Sequence, residues 1–277
     1  MISVPMQDTS RLCLHTITTK SWSLERAIDA YAEKGVTGIT VWRQALEGRD
    51  PAKVGQRIRN AGLEIVSLCR GGFFPASSVV ERKERLDENR RAIEQASALG
   101  APLIVLVPGA HPSQSLGTSR EQIREGIEAI LPLAEASNVR LGIEPLHPMY
   151  ADTRSAINSM AMANNFCDQF DSPYLGVVVD VYHLWWEPAL ENEIRRCGAS
   201  GNLFAFHVSD WRLPTEDLLN DRGLMGEGCI PIRKIRGWVE QSGFNGFIEV
   251  EIFSNRYWAI DQDAFLESIV QAYLKYV

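Results

Sequence analysis

The sequence of 277 residues is long enough for two ordinary domains or for one large α/β barrel. Its hydrophobic content of 45% and charged content of 23% are those of a globular protein with a substantial core. The net charge of −7 argues against a nucleic-acid partner, and no apolar run approaches the roughly 20 residues that cross a bilayer, so neither nucleic acid nor membrane is an expected partner.

Short apolar segments alternate with amphipathic segments along the whole chain. The segments predicted as strands are Arg11–Leu14, Gly38–Val41, Glu64–Leu68, Leu103–Val107, Arg140–Ile143, Gly176–Val179, Leu203–Phe206 and Gly246–Glu251. The segments predicted as helices are Leu24–Glu33, Pro51–Asn60, Val80–Leu99, Arg120–Ala136, Ser155–Gln169, Ile232–Gln241 and Gln262–Tyr276. Several strands follow a glycine, which is typical of a helix C-cap.

This strand and helix rhythm is not interrupted by a linker, a charge block or a low-complexity segment. Eight strand–helix units in one chain predict a single-domain α/β fold, a (β/α)8 TIM barrel over residues 1–277, rather than a doubly wound sheet. The first strand is not followed by a G-x-G-x-x-G pattern, which argues against a dinucleotide-binding domain.

Ionisable residues gather where the predicted strands end, which is where TIM barrels place their active sites. All histidines of the chain lie at or just beyond such an end: His15, His111, His147, His183 and His207. Glu144, Asp180 and Glu251 close the fifth, sixth and eighth predicted strands, and His207 follows the seventh. Taken alone, an aspartate there is more often a helix cap and a histidine a core residue. Their occurrence on four successive strands favours a shared site.

Three carboxylates brought together at the barrel mouth would repel one another and lose solvation, and a divalent cation relieves both costs. An oxygen-rich site with one imidazole suits Mn²⁺ or Mg²⁺, with Co²⁺ or Zn²⁺ as further candidates. Glu249 shares a strand face with Glu251, so the spacing leaves open which of the two is the ligand.

The motifs "GIEP", "DVYH", "HVSD", "RGLMGEGCIP" and "GFNGFIEVEIF" occur in this order between residues 142 and 253. Together they resemble the xylose-isomerase-like TIM barrels, a family that includes sugar epimerases, inosose dehydratases and isomerases, and endonuclease IV. The resemblance implies one divalent metal ion held by Glu144, Asp180, His207 and Glu251, and its glycine-to-glutamate spacing selects Glu251 over Glu249.

The resemblance also implies a metal-dependent sugar isomerase or epimerase that acts on a ketose or keto-sugar. Glu144 and Glu251 would be catalytic: one removes a proton next to a carbonyl and the other returns it, through a metal-stabilised enediolate. His183 and Arg222 resemble substrate-orienting residues of the family. His147 and Trp186 are further candidate substrate contacts, and Arg70 in "CRGGFFP" is a candidate contact for an anionic or polyhydroxylated substrate.

Three alternatives stay open at this point. The first is a lyase or hydratase acting on a 3-keto-glycoside or inosose by the same enolisation followed by β-elimination, with His147 as the acid. The second is an endonuclease-IV-like enzyme, which would need a histidine on the third strand, where the sequence has "SLCRGG". The third is a non-catalytic sugar-binding module, which would not need three carboxylates and a metal.

The cysteines contain no C-x-x-C pair, and the first residues lack a signal-peptide pattern. We therefore expect a reducing, cytoplasmic location. We also expect a homo-oligomer that binds a small sugar.

Overall fold

The computed structural model describes residues 4–277. Within this range the strands are β1 (Leu12–His15), β2 (Gly38–Trp42), β3 (Glu64–Gly72), β4 (Leu103–Val107), β5 (Arg140–Ile143), β6 (Leu175–Asp180), β7 (Leu203–Val208), β8 (Asp210–Trp211), β9 (Arg222–Gly223) and β10 (Ile248–Val250). Strands β1–β7 and β10 form a closed parallel barrel, while β8 and β9 pair as a small antiparallel sheet beyond β7.

The barrel closes where the first and last of its strands pair in parallel. Leu12 of β1 lies opposite Ile248 of β10, and Cys13 lies opposite Gly38 of β2 on the other side. Because the order of strands follows the chain all the way round, the predicted single-domain TIM barrel is confirmed. The predicted domain limits, 1–277, stay a prediction, since residues 1–3 lie outside the described range.

Helices cover the outside of the barrel. They are α1 (Leu24–Glu33), α2 (Pro51–Asn60), α3 (Val79–Leu99), α4 (Leu116–Ala136), α5 (Met160–Phe170), α6 (Val181–Leu184), α7 (Leu190–Ala199), α8 (Ile232–Gln241), α9 (Asn255–Trp258) and α10 (Gln262–Tyr276). Their boundaries follow local chemistry: Ser78 and Glu81 form a capping box at the start of α3, and Gly100 ends it at φ +84°. No helix within residues 4–277 is long and apolar enough to cross a membrane.

Helices α5 and α7 show the two largest differences from the sequence prediction; in addition, α4 begins at Leu116 rather than at Arg120, and the short helices α6 and α9 were not predicted. The predicted helix over Ser155–Gln169 begins only at Met160, because Ser155 and Asn158 bond the loop instead. The Ser155 hydroxyl accepts from the Ile157 amide at 3.1 Å, and the Asn158 amide donates to the Leu146 carbonyl at 3.1 Å. The second difference is α7, which was not predicted although Leu190, Ile194 and Cys197 bury one helical face.

Two layers of apolar side chains flank the barrel wall. Ile104, Val177, Val179 and Phe206 join the large core between strands and helices. The alternate residues point the other way, toward the barrel axis, and pack as a separate cluster: Trp42, Cys69, Leu103, Val105, Val178 and Ala205. Polar side chains at the carboxyl ends of the strands are the setting for the site.

Candidate metal centre and active site

Four predicted ligand residues converge at the mouth of the barrel. Asp180 is the last residue of β6, His207 lies opposite it in β7, and Glu144 and Glu251 directly follow β5 and β10. All four side chains are buried, and one ligand atom from each lies within 4.8 Å of the others. The fold therefore brings together the residues that the sequence singled out, from four neighbouring strands.

The donor atoms of this cluster suit a cation. Nδ1 of His207 lies 3.1 Å from Oε1 of Glu144, yet among the described residues neither atom has a hydrogen-bond partner. Burial raises the pKa of Glu144 and of Asp180, and the opposing effects of His207 on Glu144 and of Arg222 on Asp180 compensate it only in part. The unpaired atoms of Glu144 and His207 lie beside two further carboxylates, and a set of three carboxylates and one imidazole fits a divalent ion.

Glu249 lies two residues before Glu251, deeper in the barrel on the same face of β10, and its carboxylate faces the imidazoles of His15 and His207. Its Oε2 accepts from the Thr40 hydroxyl at 2.6 Å and lies 3.1 Å from Nε2 of His15. Its Oε1 lies 3.7 Å from Nε2 of His207. A proton on that nitrogen, directed at Glu249, leaves Nδ1 free to face the cluster. The geometry thus places Glu251 in the cluster and Glu249 behind it, a choice that strand alternation alone leaves open.

His15 also belongs to the site, although no role was predicted for it. Its Nδ1 lies 3.0 Å from Oε1 of Glu251, so that it lies between Glu249 and Glu251. Burial by itself lowers the pKa of His15, but the charge of Glu251 and bonds to both carboxylates raise it well above its ordinary value. His15, His207 and Glu251 also form a second group with ligand-type geometry. The only sequence signal was the position of His15 at the end of β1.

Arg222 reaches the cluster from β9. Its Nη1 donates to Oδ2 of Asp180 at 3.0 Å and to Oε2 of Glu251 at 2.8 Å, and its Nη2 lies 3.1 Å from Nε2 of His183. Because a guanidinium can only donate, Nε2 of His183 accepts and the ring carries its proton on Nδ1. Burial, followed by the charge of Arg222, lowers the pKa of His183 well below its ordinary value, so this ring is neutral.

A pocket opens above the cluster. Its wall contains Trp42, Cys69, Arg70, Val105, Val107, Glu144, Leu146, Tyr150, Arg154, His183, Leu219, Arg222, Glu251 and Phe253. Tyr150 and Arg154 were missed by the sequence reasoning because they lie in the long loop after β5, where neither periodicity nor a strand end marks them. The carboxylates of Glu144 and Glu251 approach this pocket from the two ends of the four-strand arc β5-β6-β7-β10.

Two predicted substrate contacts, His147 and Trp186, are not part of this pocket wall. The His147 ring packs 5.7 Å from Trp186 and 5.0 Å from Trp211, measured between centroids. The indole of Trp186 donates to the His183 carbonyl at 2.9 Å. The two residues therefore form an aromatic cluster behind His183, and their role as substrate contacts stays a prediction.

Comparison with known proteins gives relatives over nearly the whole chain. The family described as a xylose isomerase-like TIM barrel matches residues 28–269. Protein SMc04130 from Sinorhizobium meliloti 1021 is 40% identical, with 96% of this chain and 98% of that chain covered and a TM-score of 0.93.

More distant relatives carry functional names. An inosose isomerase from Halalkalibacterium halodurans is 23% identical over 201 residues, which are 69% of this chain and 67% of the relative. The crystal structure of the IOLI protein with a bound zinc atom is 17% identical, with 95% and 96% of the two chains covered and a TM-score of 0.82. The match to the family over residues 28–269, together with the closed barrel, shows that the chain belongs to the xylose isomerase-like TIM barrel family.

Proposed function

We propose that this protein is a divalent-metal-dependent isomerase or epimerase of a ketose or keto-sugar. The observation that carries the proposal is the buried convergence of Glu144, Asp180, His207 and Glu251. Among the described residues, Oε1 of Glu144 and Nδ1 of His207 have no hydrogen-bond partner. An inosose isomerase among the relatives and a zinc atom in a structural neighbour support the reaction class and the metal.

Glu144, Asp180, His207 and Glu251 would hold the ion. The oxygen-rich donor set favours Mn²⁺ or Mg²⁺, with Co²⁺ or Zn²⁺ as alternatives. When bound, such an ion supplies Lewis-acid polarisation of a substrate carbonyl.

The two glutamates would move the proton. Glu144 has no arginine partner and its pKa is raised by burial, whereas His15 and Arg222 overcome the effect of burial and lower the pKa of Glu251. Glu144 is therefore the stronger base and suited to remove a proton from the carbon beside the carbonyl. Glu251, at the other end of the four-strand arc, is ionised at rest because its pKa is lowered, and would return a proton to the resulting enediol after taking one up from solvent.

Arg222 and His183 would orient the sugar. Nε of Arg222 and Nδ1 of His183 are buried and, among the described residues, have no hydrogen-bond partner. Both are donors, and both residues line the pocket. Hydroxyl or carbonyl oxygens of a sugar would satisfy them, which removes the cost of leaving buried donors unpaired.

The elimination alternative needs a general acid at the leaving group. His147, the candidate for that role, lies outside the pocket wall. We therefore place isomerisation or epimerisation first and keep β-elimination from a 3-keto-glycoside or inosose as the alternative. The predicted homo-oligomer and cytoplasmic location stay predictions.

The test is incubation of the metal-loaded protein in D₂O with a panel of ketoses, inososes and 3-keto-sugars. We expect deuterium at the carbon next to the carbonyl, read by NMR, in a product that retains all its substituents. A product that has lost a substituent would assign the lyase instead. Turnover of a substrate without any deuterium exchange would overturn the enolisation mechanism.

A further inference from the structure

Two arginines reach the same pocket as the proposed catalytic carboxylates. Arg70 and Arg154 both line the wall that also contains Glu144, Glu251 and Arg222. Within the part of the chain that the structure describes, neither guanidinium makes an ion pair or a hydrogen bond with a protein group. Arg222 differs from them, because it donates to both Asp180 and Glu251.

Local structure fixes Arg70 at the pocket. The pairing of β3 with β4 shifts register between Cys69 and Gly71, so Arg70 is the extra residue of a bulge. A bulge turns a side chain away from the direction that strand alternation would give it. The guanidinium lies over the Phe73 ring, 4.1 Å from its centroid. Stacking uses the face of the guanidinium and leaves its in-plane N–H donors available.

Arg154 is held by the loop after β5. Its amide donates to the Tyr150 carbonyl at 2.9 Å, and its carbonyl accepts from the Gly109 amide at 2.9 Å. The guanidinium lies 5.9 Å from the centroid of the Tyr150 ring. The bulge in β3 and the loop after β5 thus each present a cation to one pocket.

The positive charges of the two arginines repel each other. Burial, followed by the charge of Arg154, lowers the pKa of Arg70 to about 10, so Arg70 is still a cation at neutral pH. The carboxylates of the pocket do not compensate this pair, since Glu251 is bonded to Arg222 and Glu144 faces His207. A bound divalent ion would neutralise those carboxylates further. Two half-buried cations without an anion are costly to hold, and an oxyanion bound between them removes that cost.

We propose that Arg70 and Arg154 form an anion subsite, and that the sugar turned over here carries a carboxylate or phosphate group away from its reacting carbonyl. This inference rests on the proposed function, because it names the substrate class of that site. The proposal excludes neutral sugars as preferred substrates. Sugar acids and sugar phosphates remain as the two substrate classes, because both carry an oxyanion.

The test measures binding of three ketoses that differ only at carbon 6: D-fructose, D-fructuronate and D-fructose 6-phosphate. With the metal-loaded protein in isothermal titration calorimetry, we expect at least one charged sugar to bind more than ten-fold tighter than fructose. Arg70→Met and Arg154→Met should each reduce that preference by about ten-fold or more, since each removes hydrogen bonds to a charged group. The charged sugar that binds more tightly shows whether the subsite prefers a carboxylate or a phosphate group.

Arg91→Met is the matched control, because Arg91 is exposed and already paired with Glu88. It should leave the preference unchanged. Equal or undetectable binding of all three sugars would overturn the proposal. So would a preference that survives in both pocket variants, because the anion would then be bound elsewhere.

Deuterium exchange in the same samples separates this inference from the proposed function. Exchange confined to neutral sugars would refute the anion subsite and leave the isomerase standing. An arginine-dependent preference for a charged sugar, with no exchange for any sugar in the larger panel, would support the subsite and refute the isomerase.

Discussion

Glu144 and Glu251 face the same pocket with different neighbours, and their proposed roles depend on that difference. We expect Glu144→Gln and Glu251→Gln each to lower turnover by about 10²–10⁴-fold, because each removes one of the two proton-transfer groups. Steady-state kinetics on the best substrate of the panel, with metal content measured in parallel, tests this. Glu144→Gln protein that keeps wild-type deuterium exchange would contradict the proposed proton removal.

The choice of control for these variants depends on the structure. Glu249→Gln is the obvious choice from the sequence, because Glu249 lies two residues from Glu251 on one face of β10. Its carboxylate is buried, however, and accepts from Thr40 beside the imidazole of His207. We therefore expect Glu249→Gln to weaken metal affinity by about 10–100-fold, as loss of a partner that orients a ligand does. Glu216, which is exposed, provides the neutral control, Glu216→Gln.

The neutral state of His183 gives a prediction for stability against pH. Burial and the nearby Arg222 lower its pKa in the folded protein below the ordinary value of 6.5. As the pH falls below about 6.5, the unfolded chain therefore binds this proton and the folded chain does not, which destabilises the fold. The contribution of His183 is fully present above that pH and is lost as the pH falls toward the folded pKa.

His183→Gln keeps an acceptor for Arg222 and removes the titration. In urea denaturation with EDTA, we expect the free energy of unfolding of this variant to fall less between pH 7.5 and pH 5.5 than that of the wild type. The comparison of the two proteins isolates His183 from the other titrating groups. Equal pH slopes would show that Arg222 does not suppress protonation of this ring.

Site residues at the ends of barrel strands could be predicted from the sequence, whereas site residues positioned by loops could not. A strand end fixes where Asp180 and His207 meet, since neighbouring parallel strands end at the same edge. Arg154 reaches the pocket through a loop whose course depends on backbone hydrogen bonds to the nearby Tyr150 and to Gly109, which is distant in the sequence. His147 also follows a strand end, but the loop turns its ring toward Trp186 and Trp211, and its role as a substrate contact stays a prediction.

At the scale of elements, the small β8–β9 sheet carries Arg222 and is anchored by Asp210. The Oδ1 atom of Asp210 accepts from the amides of Trp211 at 2.8 Å and Ile230 at 3.0 Å, and Oδ2 accepts from Gly226 at 2.9 Å. Gly228 packs so closely that a Cβ atom there would lie 2.0 Å from the Trp211 carbonyl oxygen. One carboxylate thus joins the two ends of the loop over residues 211–230.

Asp210→Ala leaves these amides without their acceptor. We expect the free energy of unfolding to fall by about 2–4 kcal/mol. Each buried amide that loses its acceptor costs about 1–3 kcal/mol, whereas the amide of the exposed Gly226 can bond to water instead. Limited proteolysis should cut within residues 211–230, and turnover should fall as Arg222 loses its support.

Asp217→Ala is the control, because it removes a similar cap from the amides of Leu219 and Asn220 in a more exposed turn. It should lower the free energy of unfolding by under about 1 kcal/mol. Equal losses in the two variants would contradict the anchoring role.

The elements that periodicity predicted correctly are those with a long apolar face or a clear cap, such as α3 with its capping box and Gly100. The predicted start of α5 was wrong by several residues because Ser155 and Asn158, both common in loops, bond neighbouring backbone instead of continuing a helix. The bulge at Arg70 could not be predicted, since it depends on how β3 pairs with β4.

At the scale of the whole molecule, the proposed metal ligands belong to four strands and can be held together only by the folded barrel. Metal binding should therefore stabilise the protein, by about 2.7 kcal/mol when the free ion is at a hundredfold excess over its Kd. For a protein of this size the melting temperature should rise by about 5–10 °C. Thermal unfolding in EDTA and in excess MnCl₂ measures this difference.

His207→Ala provides the matched variant. We expect metal analysis to give close to one ion per wild-type chain and well below that for the variant, whose melting temperature should no longer respond to MnCl₂. A folded variant with unchanged metal content would remove His207 from the ligand set.

The pairing of β1 with β10 has a consequence for how the protein acquires its ion. Glu251 directly follows β10, and β10 enters the barrel only by pairing with β1 and β7. A chain still emerging from the ribosome, or a partly closed barrel, therefore lacks a full coordination shell. The proposed ion would therefore complete its coordination only after β10 has been synthesised and has joined the barrel. Its identity should then follow the free-metal concentrations of the compartment in which the finished protein resides, and it should be exchangeable by dialysis without refolding.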